Sequence, residues 1–155
     1  MASFWCNKFV AGYLNGTHSI DLDSDTIKVM LCNTIYIPNQ IDDEFIDDGD
    51  LNDALRGETA ASGYGARKTL TATITAESPA ADQVKFDAAD PTVWTNIGDP
   101  TADAAVRYMP VYHHAGDDDA NRQIINLDFG SNKNLNGVDF TVQFAANGLG
   151  YAESI

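Results

Sequence analysis

Thr69-Leu70-Thr71-Ala72-Thr73-Ile74-Thr75 alternates polar and apolar side chains with a period of two. Leu70, Ala72 and Ile74 fall on one side and four threonines on the other. Threonine, branched at Cβ, favours an extended backbone on either face. A helix would scatter these residues around its circumference, so the stretch predicts a half-buried β-strand. Working outward, residues 26–31 (TIKVML) repeat the pattern, with Ile27, Val29 and Leu31 toward a core and Lys28 and Met30 away from it. Residues 138–144 (VDFTVQF) do so again, with Val138, Phe140, Val142 and Phe144 inward and Asp139, Thr141 and Gln143 outward. Shorter candidates lie at 83–86, 92–95, 105–112 and 123–129, separated by Gly, Pro, Asn and Asp. No long amphipathic helix intervenes, which excludes parallel βαβ units. The expectation is an all-β fold, an antiparallel β-sandwich of jelly-roll-like type.

One segment breaks the alternation. Residues 42–55 (DDEFIDDGDLNDAL) set Phe45, Ile46, Leu51 and Leu55 among acids, with Gly49 in the middle. Acids at its start suit a helix N-terminus, but glycine costs a helix about 1 kcal/mol relative to alanine. Short turns are expected, inside a long, partly helical excursion over residues 35–68 that leaves the sheets. Residues 1–18 are expected to be a contact-forming N-terminal arm or first strand, and 19–155 a single sandwich domain. The tail 148–155 is either a last edge strand or a peptide that reaches a neighbour.

The chain has 155 residues, enough for one domain that needs no metal or disulfide to fold. Nine Lys and Arg face 23 Asp and Glu, a net charge of −14. Nucleic-acid affinity comes mainly from cations that neutralise phosphates, so no nucleic-acid partner is expected. A hydrophobic content of 44% sets the chain apart from disordered acidic segments. The N-terminus has no basic stretch, and the apolar run 9–14 is too short for a signal peptide or a span. Synthesis in a cytoplasm without export is expected, with no membrane partner. Cys6 and Cys32 form no CxxC pair and are expected to stay reduced.

The motif search points away from chemistry. Asp21-Leu22-Asp23-Ser24-Asp25 opens like a calcium loop, but Thr26 and Cys32 stand where an EF-hand requires glycine and a bidentate glutamate. These aspartates are expected to satisfy turn backbone groups instead. The acid clusters at 42–50 and 117–119 read as solvated faces. His113 and His114 are adjacent on a strand, so they point to opposite faces and cannot chelate one zinc, and His18 stands alone. There is no G-x-S-x-G motif, and Arg67-Lys68-Thr69 lacks the glycine-rich cradle of a P-loop. No catalytic, cofactor-binding or metal-binding residues are expected, and no enzyme activity.

A resemblance adds a function. The opening from Lys8-Phe9 through Gly12-Tyr13-Leu14 to Ile20-Asp21-Leu22-Asp23-Ser24-Asp25-Thr26-Ile27-Lys28-Val29 resembles that of a family of small tailed-bacteriophage virion structural proteins. Gly63-Tyr64, Arg67 to Leu70, Val84 to Ala88, Val93-Trp94, Leu127 to Gly130 and Gly137 to Phe144 are similar in the same order. The resemblance implies a virion component made in the host cytoplasm. A capsid decoration (cement) protein on the capsid exterior fits best, bound to the major capsid protein and bridging capsomers, and associating with itself as a trimer ahead of a dimer. A neck, tail or fibre-base protein of the same fold is the alternative. The aromatic and apolar residues Phe4, Trp5, Phe9, Tyr13 and Leu14 precede the first good strand and are candidates for docking or oligomer contacts. A third reading, a glycan-binding sandwich module, would use Trp94, Tyr108 and Tyr112 as stacking platforms if they face out.

Overall fold

The computed structural model describes residues 3–48, 54–76, 83–99, 103–144 and 149–153. In chain order the elements are β1 (Phe4–Trp5), α1 (Asn7–Leu14), β2 (Ile27–Val29), β3 (Cys32–Asn33), α2 (Ala54–Gly57), β4 (Lys68–Leu70) and β5 (Ala72–Ala76). Then follow β6 (Gln83–Ala88), β7 (Trp94–Ile97), β8 (Val106–His113), β9 (Arg122–Lys133), β10 (Val138–Phe140) and β11 (Gly150–Glu153). Every pairing between strands is antiparallel. The largest sheet runs β1-β9-β8-β2-β4, with β3 also on β8, beside a three-stranded sheet β11-β6-β5 and a two-stranded sheet β10-β7. The fold is all-β and sandwich-like, as the alternation predicts.

The threonine-rich stretch forms two strands. β4 pairs with β2 in the large sheet, whereas β5 pairs with β6 in the three-stranded one. Thr71 is thus the corner at which the chain changes sheets, one of the ways sandwich layers are joined. Leu70 and Ala72 are buried and Ile74 packs against the same core. That core also takes Ile27, Val29 and Leu31 from one face of β2 and its extension, with Trp94, Met109, Val111, Ile125 and Phe86.

The opposite face of β2 departs from expectation. Met30, read as solvent-facing, is fully buried. It belongs to a second core with Cys32, Tyr36, Ile46, Ala54 and Tyr112. The excursion after residue 35 therefore leaves the sheet edge only to return across the sheet's other face. Backbone hydrogen bonds hold it there: Ile46 N–H to the Asn121 carbonyl (2.9 Å), Gln123 N–H to Glu44 (2.9 Å) and Thr59 N–H to Leu31 (2.8 Å). The aliphatic and aromatic minority of this acidic segment is what drives it back, since burying apolar area contributes about 25 cal/mol per Å2. α2 is its short helical part, while Gly49 and Leu51 lie outside the described residues.

Three further boundaries differ. Residues 7–14 are helical, so the N-terminal segment combines a two-residue strand with a helix that buries Phe9 and Gly12. β10 stops at Phe140, opposite Trp94 where its four-residue partner β7 begins, and Val138 is 57% exposed rather than inward. β9 runs beyond residue 129 to Lys133, with irregular pairing: Val106 opposes Lys133 and Tyr108 opposes Asp128. The extra β9 residues bulge out around Gly130, whose φ of 75° suits glycine. Of the tail, Gly150–Glu153 forms edge strand β11 on β6.

Candidate functional site

The excursion is fastened to the large sheet by buried polar side chains. Ile35 lies in a turn and Ile37 in the irregular stretch that follows, and of Ile35, Tyr36 and Ile37 only Tyr36 turns inward. Its hydroxyl lies 2.8 Å from Asp43 Oδ2, 2.9 Å from Gln123 Oε1 and 2.8 Å from Asn126 Oδ1. A phenol carries one proton, so three oxygens share a single donor. Further donors come from the backbone N–H of Asn39, which reaches Asp43 Oδ2 at 2.8 Å, and from Asn126 Nδ2, which reaches Gln123 Oε1 at 3.1 Å. Gln123 Nε2 in turn donates to the Phe45 carbonyl at 2.8 Å, back on the excursion. Burial, reinforced by the Asp43 charge, holds the Tyr36 phenol far above its ordinary range and does the same to the Cys6 thiol. Both keep their protons at neutral pH, so the cluster works as a clamp and offers no nucleophile.

A second clamp sits at the far end of the excursion. Arg67 spans Glu58, through Nε at 2.9 Å and a terminal nitrogen at 2.7 Å, and Asp118 on the turn before β9. Its guanidinium also lies 5.7 Å from the ring centre of Tyr112. Burial pushes the Tyr112 phenol up to about 12, with the Arg67 charge opposing. The hydrogen bond from Arg67 holds the Asp118 carboxyl below its ordinary range.

What the two clamps display is apolar. Ile35, Ile37 and Ile41 are 59%, 55% and 65% exposed. Their backbone is fixed: Ile35 N–H donates to Asn33 Oδ1 (2.8 Å), Ile41 N–H to Asn39 Oδ1 (3.0 Å), and Asn7 N–H to the Gln40 carbonyl (2.8 Å). The last bond ties this loop to the start of α1, whose other end carries Tyr13 (50% exposed) and Leu14 (79%).

Of the N-terminal contact candidates, the structure opens only Tyr13 and Leu14 to solvent. Phe9 is buried in the main core. Phe4 and Trp5 are half-buried, with Trp5 against Phe9 at 6.2 Å and Phe86 at 5.8 Å between ring centres. The isoleucines were the residues that sequence reasoning missed. Their signal was the Ile-Tyr-Ile alternation, but periodicity alone does not say which face of it turns inward.

The glycan platforms do not face out. Trp94 is buried, stacked on Tyr64 with ring centres 6.4 Å apart, and Tyr112 is buried in the second core. Tyr108 is half-buried and packs edge-on to Tyr36. The aspartates at 21–25 serve their own turn. Asp23 N–H donates to Asp21 Oδ1 (2.9 Å) and Asp21 N–H to Asp25 Oδ2 (2.9 Å), while Asp23 accepts from the Ile74 N–H on β5. His113 approaches Asp25 at 3.5 Å, and His18 lies against Phe9. Among the described residues no three His, Cys, Asp or Glu side chains converge on one point, and no helix is long and apolar enough to cross a membrane. Cys6 and Cys32 are buried thiols and are not in a disulfide. Comparison with family models, with curated proteins and with solved structures finds no match.

Proposed function

We propose that the chain is a structural protein of a tailed-phage virion, a capsid decoration protein that binds the outside of the major shell and bridges capsomers. The observation that carries this reading is the display of Ile35, Ile37 and Ile41 on a loop tied by hydrogen bonds from the Ile35 and Ile41 N–H groups and to the Gln40 carbonyl. A monomer gains no stability from apolar side chains held out in water, and clustered exposure of this kind marks interaction surfaces. Tyr13 and Leu14 extend the apolar display along α1. The exposed Asp42 directly follows Ile41, so the complementary shell surface is apolar with lysine or arginine at its rim. Self-association into trimers brings chains of net charge −14 together and relies on the same apolar residues to offset repulsion.

Rebinding to purified particles stripped of the protein, followed by sedimentation, tests the docking surface. Ile37→Asp and Ile41→Asp should each weaken binding at least tenfold while leaving the unfolding curve in place. Binding equal to that of the parent chain would remove the isoleucine loop from the contact.

A further inference from the structure

Among the described residues, one part of the sheet's second face lies open. Between the end of α2 and residues 58–67 lies an open groove of about 600 Å3, lined among others by Lys28, Leu55, Glu58, Thr59, Tyr64 and Arg67. Lys28 is central on β2, flanked by β4 and β8, and its side chain is half-buried. In a chain with 23 acids, a half-buried lysine would be expected to have a carboxylate partner. Among the described residues none pairs with it.

The reason is local. Glu58, the carboxylate in the groove wall, is saturated: Oε1 accepts from Arg67 Nε at 2.9 Å and from the Tyr64 hydroxyl at 2.9 Å, and Oε2 accepts from Arg67 at 2.7 Å. Asp118, beyond Arg67, is engaged by that same guanidinium and by Asn121 Nδ2 at 2.9 Å. The Glu58 and Asp118 carboxylates are thus committed to Arg67, and among the described residues no carboxylate pairs with Lys28. Directly across from Lys28 on β8 stands Tyr112, whose buried ring lies against the same Arg67 guanidinium at 5.7 Å.

We infer that this groove is a binding site for a monocarboxylate, whose charge pairs with Lys28 while its apolar part lies against Leu55 and the Tyr64 ring. A phosphate fits less well. One free ammonium balances one charge, and a dianion would enter the field of a protein of net charge −14. The carboxylate has two sources, a free short-chain organic acid or an acidic side chain of a bound protein.

Amide chemical shifts of the isotope-labelled full chain, titrated separately with butyrate, N-acetyl-glutamyl amide and inorganic phosphate, test this. Butyrate should move the amides of Lys28, Thr59, Ala60 and Arg67 saturably. Lys28→Met should weaken that binding at least tenfold, and Lys8→Met, on the exposed side of α1, should leave it unchanged. Ala60→Leu, which fills the groove from its exposed wall and retains Lys28, should also abolish the shifts, so the inference stays testable if Lys28→Met fails to fold. Equal affinity for the blocked glutamate would assign the site to a protein side chain, and butyrate alone to a free acid. No saturable shift, full affinity in Lys28→Met or in Ala60→Leu, or tighter binding of phosphate would overturn the inference.

Discussion

Removing one oxygen tests whether the buried clamp holds the excursion on the sheet. Tyr36→Phe keeps the ring, its edge-on contact with Tyr108 at 5.9 Å and the packing around Ile46 and Met30. Only the hydroxyl is lost, so the change isolates the polar term. That hydroxyl donates to Asp43 at 2.8 Å, as the Asn39 N–H also does, and a hydrogen bond to a charged group contributes about 1.5–3 kcal/mol. Asn126 Oδ1 loses its contact as well, and a buried acceptor without a donor costs about 1–3 kcal/mol. Because one proton serves these oxygens in turn, the two contributions overlap, and the expected loss is about 2–4 kcal/mol. Equilibrium urea unfolding at neutral pH, followed through Trp5 and Trp94, reads it directly as a lower midpoint at unchanged slope. Hydrogen exchange at the Ile46 and Gln123 amides, which bridge excursion and sheet, should accelerate more than exchange at Ile27. Tyr108→Phe, on the same face but half-exposed, is the control and should change little. A loss below about 0.5 kcal/mol for Tyr36→Phe, the usual range for surface changes, would refute the clamp.

Gly57→Ala should destabilise by about 1–3 kcal/mol through overpacking, although alanine is the better helix former, because its Cβ would lie 2.3 Å from Tyr36 Cβ and 2.7 Å from the Tyr36 backbone nitrogen; thermal unfolding measures it. Acid should destabilise the fold through Asp118. With its folded carboxyl held below the unfolded value of about 3.9, the unfolded chain binds more protons, so the contribution present above that value is lost as pH falls through the folded one. Urea midpoints between neutral pH and pH 3 should show it, with a shallower decline in Arg67→Met. A thiol reagent should modify neither Cys6 nor Cys32 in the native protein and both after denaturation, as read by mass. The triple change Ile35→Ser, Ile37→Ser and Ile41→Ser should leave stability within about 0.5 kcal/mol per site, by calorimetry, because these side chains are displayed to solvent.

The sheets were legible because period-two alternation fixes which residues share a face, and Ile27, Val29, Leu31, Leu70 and Ala72 all lie where it puts them. Alternation does not report what covers the other face. Met30 reads as outward on β2, yet the excursion, drawn back by Tyr36, Ile46 and Ala54, buries it. The corner at Thr71 was hidden for a related reason: a strand that changes sheets keeps its alternation. Helix α1 gave little warning, since Cys6 makes no side-chain cap and eight residues around Gly12 carry a weak periodic pattern. The aspartates at 21–25 were legible as turn residues because short acidic side chains bond their own backbone. The clamp and the Lys28 groove were not legible: Tyr36, Gln123 and Asn126 meet across about ninety residues of sequence, and nothing in Lys28's neighbours says that Arg67 occupies Glu58 and Asp118.

Copy number per particle tests the virion role most directly. The protein, quantified by mass spectrometry against the major shell protein in purified particles, should be present at a ratio near one or at a fixed simple fraction of it. A handful to a few dozen copies would contradict a decoration role and move the chain to the neck or tail, and absence from the particles would remove it from the virion altogether.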